Sequence, residues 1–287
     1  MTKLRRALVL GAGGYAAISW EIGILSGMAE AGTDPRKADL FVGTSAGAIV
    51  AAQIISGVSL EELFRRQLTP REETESAAPV TDFRRWREEL GRARSGGGSP
   101  NEVLRRIGAL ALAVPAGTPS DRPEVASLLP RQVWPEQNLL TVAVDVRTGE
   151  RCVFDRARGI DLVDAVTASG AVAGISQPVT FNGHVYMDGG FYSLTNADLA
   201  LGCDRVLVVS LPARVPPLSV TSLEVELERL RAGHARVEVV HPDEASQAAF
   251  ASVGGNLLDP AVCKPGVRAG REQGRRITNA GLSTFWQ

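Results

Sequence analysis

Short apolar runs alternate with longer runs of helical periodicity along most of this chain. The short runs are typical of buried strands, and several of the longer ones begin with a capping serine or aspartate. Strands that alternate with helices predict a mostly parallel sheet in a three-layer α/β sandwich. The predicted strands are residues 6–10, 40–42, 138–146, 151–154, two within 179–187, 205–211 and 236–240. The predicted helices are residues 18–31, 46–55, 59–67, 101–113, 161–169, 222–231, 242–252 and 266–280.

One stretch, residues 68–137, interrupts this alternation inside what we expect to be a single domain over residues 1–287. Residues 68–100 are polar and end in SGGGSP, which is the composition of a mobile linker. Residues 114–137 are broken by prolines and carry Leu128, Leu129 and Trp134, for which we expect exposure and membrane contact. Long irregular segments are commonly binding loops, so we expect residues 68–137 to form a mobile or lid insertion over the site.

Within this insertion, Arg84, Arg85 and Arg87 flank Trp86 and form a basic patch. Such a patch is able to meet anionic lipid headgroups. A solvated helix face is the more common use of a charge run, and two glutamates follow at once in this sequence. Both interpretations stay open at this stage.

The charge and cysteine content narrow the class of protein. With a formal net charge of −1 over 287 residues, there is no electrostatic case for nucleic-acid binding. Cys152, Cys203 and Cys263 are odd in number and widely spaced, so neither a disulfide framework nor a thiolate metal site is indicated. No run of apolar residues is long enough to span a membrane. We therefore expect a cytoplasmic protein, and the sequence leaves its oligomeric state undetermined.

The first candidate for chemistry is GTSAG at residues 43–47, between an apolar strand and an uncharged helix. A serine on a sharp strand-to-helix turn has strained backbone angles, and flanking glycines such as Gly43 and Gly47 remove Cβ atoms that would collide. The Ser45 hydroxyl would then stand at a helix N-terminus, where free N–H groups favour a developing oxyanion. This pattern predicts Ser45 as a nucleophile, although a Gly-Ser-Gly turn is also a common helix cap.

A glycine loop, GAGGY at residues 11–15, follows the first strand and leaves two functional interpretations open. Gly11, Gly13 and Ala16 fit a dinucleotide fingerprint, but that interpretation expects an acidic residue at the end of the second strand, where Ser45 stands. Alternatively, the N–H groups of Gly13 and Gly14 form an oxyanion hole beside Ser45, because the loops after adjacent parallel strands share one cleft. A tight turn without any ligand is the third possibility.

A base for Ser45 has two sources in the sequence. His241 ends a strand and comes last in the order Ser, Asp, His, which is the chain order of α/β-hydrolase triads. His184 precedes Asp188 by about 13 Å of extended chain, too far to relay a proton between Asp188 and Ser45. If no histidine serves, a carboxylate must act directly.

Together these motifs resemble the patatin-like phospholipase family. LVLGAGGY at residues 8–15 is similar to its oxyanion loop, GTSAG to its nucleophile elbow, and residues 168–178 with DGG at 188–190 to its aspartate block. Asn196 also falls where the family often continues after that block. The resemblance implies a catalytic dyad of Ser45 and Asp188, with Gly189 and Gly190 supporting the turn behind the aspartate. It also implies an oxyanion hole of Gly13 and Gly14, an acyl-enzyme intermediate, and no metal or other cofactor.

The expected substrate is a lipid carboxylic ester, whether phospholipid, lysophospholipid or neutral lipid, with possible peripheral membrane contact. The family loop usually continues to Arg-Gly, where this chain has Ala16 and Ala17. This departure motivates the alternative of a catalytically weak lipid-binding or regulatory protein.

Overall fold

The computed structural model describes residues 4–69, 83–213, 218–254 and 256–287. The strands are β1 Arg6–Leu10, β2 Leu40–Thr44, β3 Asn138–Asp145, β4 Arg151–Phe154, β5 Val179–Phe181, β6 His184–Asp188, β7 Arg205–Val209 and β8 Arg236–Val240. The helices are α1 Gly14–Glu30, α2 Ala46–Ile54, α3 Leu60–Leu68, α4 Phe83–Ser95, α5 Pro100–Leu112, α6 Arg122–Leu128, α7 Leu162–Gly170, α8 Leu223–Ala232, α9 Glu244–Ala251, α10 Cys263–Ile277 and α11 Ser283–Trp286.

The strands form one mostly parallel sheet with helices on both faces, which confirms the predicted α/β sandwich. Side chains alternate along β1, since successive residues of a strand point to opposite faces. Leu8 and Leu10 pack with α1, α2 and α10 on one face, whereas Ala7 and Val9 pack towards α8 on the other. Both faces of the central strands are therefore buried, as expected for a parallel sheet between two helical layers.

Strand β3 brings the ends of β2 and β6 together. One edge of β3 pairs with β4 over Thr141–Val144. Strands β2 and β6 pair with some of these same residues, so both must lie along the other edge of β3. Strand β2 runs parallel to β3 until Thr44 pairs with Val142. Strand β6 runs the opposite way until Asp188 pairs with Ala143, the next residue of β3. The carboxyl ends of β2 and β6 therefore meet head to head.

Helices α1 and α10 pack through glycines that the sequence analysis did not identify. Gly23 and Gly27 on α1 face Gly270 and Gly274 on α10. A Cβ atom at any of these four positions would lie 2.1–2.4 Å from a backbone carbonyl oxygen of the facing helix. The two helix axes are thus as close as backbone contact allows, and this contact holds α10 against α1, the helix that follows the glycine loop.

The prediction of a linker over residues 68–100 is wrong for its described part. Residues 83–95 of the predicted linker are helix α4, which buries Leu90, while residues 70–82 lie outside the described part. The basic patch is the solvated face of this helix, since Arg84 pairs with Glu88 at 3.2 Å.

The expected exposure of the three apolar side chains is also wrong. Leu129 is only 4% exposed, and Leu128 and Trp134 are half-buried against the main core. The Trp134 indole N–H donates to the Ile160 carbonyl oxygen at 2.7 Å, which anchors the ring. None of the helices in the described ranges is both long and apolar enough to cross a bilayer.

Candidate active site

Ser45 occupies the sharp turn between β2 and α2 that the sequence predicts. Its backbone angles, φ 55° and ψ −118°, are rare for a residue with a side chain and are typical of strained functional turns. A Cβ at Gly43 would lie 2.5 Å from the Ala48 Cα, and one at Gly47 would lie 2.1 Å from the Leu10 carbonyl oxygen. Both glycines are therefore required by the close approach of backbone on either side of Ser45.

The Ser45 hydroxyl donates a hydrogen bond to Asp188 Oδ2 at 2.7 Å. The other carboxylate oxygen, Oδ1, accepts the Gly190 N–H at 2.6 Å, so the orientation of the Asp188 side chain is fixed. A Cβ at Gly189 would lie 2.3 Å from the Val142 carbonyl oxygen, which explains why a glycine follows the aspartate. The two candidate catalytic side chains, far apart in sequence, thus contact each other directly.

Burial changes the acidity of this aspartate. Asp188 is 6% exposed and Ser45 is 8% exposed. Burial raises the pKa of Asp188 from 3.8 to about 6, and the hydrogen bonds from Gly190 and Ser45 oppose that rise only in part. At neutral pH the carboxylate remains mostly ionised, yet it is a stronger base than an exposed aspartate.

The glycine loop lies beside this pair and presents backbone N–H groups. Gly13 and Gly14 have φ angles of 154° and 60°, which side chains rarely allow. Within the described residues, the N–H groups of Gly13 and Gly14 donate to no protein acceptor. The loop adjoins both other motifs, because the Gly11 carbonyl oxygen accepts the Gly47 N–H at 3.0 Å and a Cβ at Gly190 would lie 3.3 Å from the Ala12 Cβ.

The histidines lie in other environments. His184 Nδ1 is 2.7 Å from Asp145 Oδ2, at the opposite end of β6 from Asp188. The exposed His241 is bonded through Nδ1 to the Ser210 carbonyl oxygen at 2.7 Å. A dinucleotide site would have an acidic residue at the end of the second strand to bind the ribose. Strand β2 ends at Thr44 and is followed by Ser45, so this position holds no carboxylate.

Further polar contacts support the elbow, and among the residues that make them the sequence analysis did not identify Thr195 or Glu226. The Ser169 hydroxyl oxygen accepts the Ser45 N–H at 2.9 Å. Beneath the elbow, Asn196 donates to the Thr44 hydroxyl at 3.1 Å, and the buried Glu226 accepts the Thr195 hydroxyl at 2.6 Å. Glu226 lies on a helix distant in sequence from the elbow, and only tertiary packing brings it there.

Residues 83–137 contact two of the three motif loops. The Tyr15 hydroxyl donates to Glu124 on α6, and the Trp86 indole N–H on α4 donates to the Ala173 carbonyl oxygen at 2.9 Å. Asp121 immediately precedes α6, and burial raises its pKa. These contacts tie the insertion to the glycine loop and to the block that precedes Asp188.

Solved structures align with this chain at low sequence identity, and VipD shows the same fold. VipD from Legionella pneumophila aligns with a TM-score of 0.51 and 13% identity, over 97% of this chain and 67% of that one. Human GIVD cytosolic phospholipase A2, in complex with a fluorophosphonate inhibitor, aligns with a TM-score of 0.43 and 12% identity, over 98% of this chain and 59% of that one. Pseudomonas aeruginosa ExoU, in complex with SpcU, aligns with a TM-score of 0.36 and 14% identity, over 98% of this chain and 60% of that one. This chain therefore spans only three-fifths of the latter two proteins.

No curated protein matches the chain. The family model described as "Patatin-like phospholipase" matches residues 8–201, which include the glycine loop, the elbow and the aspartate turn. The match covers well over half of the sequence and includes both Ser45 and Asp188. The chain belongs to the patatin-like phospholipase family.

Proposed function

We propose that this protein is a serine hydrolase of lipid carboxylic esters in which Ser45 is the nucleophile and Asp188 is its base. The observation that carries the proposal is the 2.7 Å hydrogen bond from the Ser45 hydroxyl to Asp188 Oδ2. An alcohol becomes a competent nucleophile when a positioned base takes its proton during attack. A carboxylate with a pKa of about 6 is suited to that task at neutral pH.

In the proposed acylation step, Ser45 Oγ attacks the ester carbonyl carbon while its proton moves to Asp188 Oδ2. The carbonyl oxygen becomes an oxyanion, which the N–H groups of Gly13 and Gly14 stabilise from the α1 N-terminus. The ester bond then breaks, and the leaving alcohol takes the proton from Asp188. The acyl group remains on Ser45 as an ester.

Deacylation repeats these steps with water. Asp188 accepts a proton from the attacking water, whose oxygen bonds to the acyl carbon. When the intermediate collapses, Ser45 Oγ leaves and regains the proton, and the fatty acid is released. Asp188 thus acts first as base and then as acid in each half of the cycle.

The experiment that tests this proposal combines hydrolysis of p-nitrophenyl acyl esters with labelling by a fluorophosphonate probe. Ser45→Ala should abolish both hydrolysis and labelling, and Asp188→Asn should abolish hydrolysis. His241→Ala is the matched control and should retain wild-type rates, because its Nδ1 is bonded to Ser210 outside the dyad. Wild-type hydrolysis in the Ser45 or Asp188 variant would end the dyad interpretation.

The pH dependence of kcat/KM provides a second test. Since the ionised form of Asp188 is required, kcat/KM should fall about tenfold per pH unit below about 6 and level off above it. A profile that stays flat down to pH 4 would contradict the assignment of Asp188 as base.

A catalytically weak lipid-binding protein is the second candidate, and the low exposure of the dyad favours it. One surface cavity of about 410 Å³ has Tyr186 in its lining, and another of about 400 Å³ has Phe64. Ser45 lines neither of them. This chain has Ala16 and Ala17, both fully buried, where the family loop usually has Arg-Gly, so the loop carries no guanidinium at these two positions. Failure of the probe to label Ser45 in the presence of lipid vesicles, together with lipid binding, would establish this alternative.

We further propose that residues 83–137 act as a lid and that the protein associates peripherally with lipid surfaces from the cytoplasm. Trp86→Phe removes the bond to Ala173 and should speed fluorophosphonate labelling of Ser45. Trp286→Phe, which removes a similar indole bond to the Asp34 carbonyl oxygen outside residues 83–137, is the matched control. Equal labelling rates in both variants and the wild type would contradict a lid. Failure to sediment with anionic vesicles would contradict membrane association.

A further inference from the structure

A carboxyl group is buried in the centre of α1, beneath the glycine loop. Glu21 is fully buried and lies between the fully buried Trp20 and Ile22 on the helix. Its Oε1 accepts the Gly11 N–H at 2.9 Å, whereas Oε2 has no hydrogen-bond partner among the described residues. A buried polar atom without a partner costs free energy that an apolar side chain would avoid. Stability alone therefore does not account for a carboxyl group at this position.

The residue that Glu21 holds is the junction of two motif loops. The Gly11 N–H also donates to the Val209 carbonyl oxygen at 3.1 Å, and the Gly11 carbonyl oxygen accepts the Gly47 N–H at 3.0 Å. A Cβ at Gly11 would lie 2.3 Å from the Ser210 hydroxyl oxygen, so the backbone there is closely surrounded. The position of Gly11 consequently sets where the following glycines stand relative to the elbow.

We propose that Glu21 is a positioning residue, which fixes Gly11 so that the N–H groups of Gly13 and Gly14 are aimed at the oxyanion formed at Ser45. The inference deepens the proposed function and rests on it. Burial raises the pKa of Glu21 well above its usual value, because the buried site disfavours the charged form, and the hydrogen bond from the Gly11 N–H opposes this rise only in part. A neutral acid retains a carbonyl oxygen that accepts an N–H, and a glutamine supplies the same acceptor.

Two substitutions separate positioning from packing. Glu21→Gln keeps an acceptor for Gly11 and should leave kcat within about threefold of wild type. Glu21→Met has the same chain length without the acceptor. Because it removes the unpaired oxygen, its unfolding midpoint should equal or exceed that of wild type. Its kcat should fall about tenfold to hundredfold with KM little changed, since an oxyanion donor acts in the transition state.

Thr33→Val is the matched control. The Thr33 hydroxyl is also buried without a partner, but it lies in the turn after α1, at the end remote from the glycine loop. This variant should match Glu21→Met in its small effect on the unfolding midpoint and retain the wild-type kcat. A loss of kcat in Thr33→Val similar to that in Glu21→Met would show that any change in the core lowers activity, and it would overturn the proposal.

Hydrogen exchange tests the positioning without reference to activity. In Glu21→Met, exchange in peptides covering residues 8–17 should accelerate about tenfold, while peptides covering β7 keep the wild-type rate. If the wild type hydrolyses no ester, the proposed function fails, and the exchange result alone decides the role of Glu21. Wild-type exchange in the loop, or a Glu21→Met protein that does not fold, would assign Glu21 to packing and overturn the proposal.

Discussion

Replacing Asp188 by asparagine is expected to abolish hydrolysis and at the same time to stabilise the fold. Burial raises the pKa of Asp188 from 3.8 to about 6, so the ionised form is less favourable in the folded state than in the unfolded chain. A change of one pKa unit is worth about 1.4 kcal/mol. Above pH 6 the shift therefore lowers the free energy of unfolding by roughly 3 kcal/mol. In the proposed mechanism the wild type carries this cost because the reaction needs a base.

Asparagine removes the charge and is able to keep both hydrogen bonds. Its amide oxygen accepts the Gly190 N–H, and its NH₂ group donates to the Ser45 hydroxyl oxygen, which replaces the bonds that Asp188 makes at 2.6 and 2.7 Å. These neutral bonds are weaker than those to a carboxylate. We therefore expect Asp188→Asn to raise the unfolding free energy at pH 8 by about 1–3 kcal/mol.

The pH dependence gives the sign of the effect. Between pH 3.8 and about 6 the folded protein holds the Asp188 proton more tightly than the unfolded chain does. The corresponding stabilisation is complete below pH 3.8 and is lost as the pH rises through about 6. The advantage of Asp188→Asn over wild type should therefore grow from pH 4 to about 6.5 and then become constant. Urea unfolding by linear extrapolation at several pH values measures it.

Asp145→Asn is a control of opposite sign. Burial also acts to raise the pKa of Asp145, but hydrogen bonds from His184 and from the Thr148 and Arg147 N–H groups outweigh it and lower the pKa. Its removal should destabilise the protein at neutral pH, with the difference lost at low pH. If Asp188→Asn were less stable than wild type at pH 8, or its advantage did not vary with pH, the account of Asp188 as a buried base would be refuted.

Three further predictions concern the elbow, the helix contact and the histidine. Ser45→Gly should be more stable than Ser45→Ala by about 1 kcal/mol in thermal unfolding, because glycine relieves the positive φ. Gly27→Ala should cost about 1–3 kcal/mol, since its Cβ would lie 2.1 Å from the Arg271 carbonyl oxygen, whereas Gly91→Ala, with open space, should be neutral or stabilising. His241→Ala should leave the pH profile of kcat/KM unchanged, and a lost inflection there would support the triad.

The sequence predicts the three motif loops well because each is a local steric demand. The run of residues 6–10 followed by glycines is β1 and its loop, and the strained turn at Ser45 lies where GTSAG predicts it. The Ser45–Asp188 contact is different, because spacing along the chain carries no information about it. It follows in the sequence analysis from the family resemblance and in the structure from the shared edge of β3.

The composition of helix α4 conceals its helical periodicity. Its polar residues and the glycines after it resemble a linker, yet Trp86 and Leu90 are spaced to lie on one face and are the residues that pack inward. Ion pairs one turn apart, such as Arg85 with Glu89 at 3.0 Å, occupy the solvent face. The glycines of α1 and α10 carry no such local signal, because their role depends on a helix distant in sequence.

The head-to-head meeting of β2 and β6 accounts for the direct contact between Ser45 and Asp188 without an intervening imidazole. Thr44 and Asp188 pair with adjacent residues of β3, so the backbone ladder itself brings the aspartate side chain to the serine that follows β2. A histidine between them would require the two strand ends to separate, but Gly189 already contacts the β3 backbone so closely that a Cβ would not fit. A shift of β6 by one residue would turn Asp188 to the opposite face of the sheet. The register of one short strand therefore determines both the distance and the orientation of the proposed base.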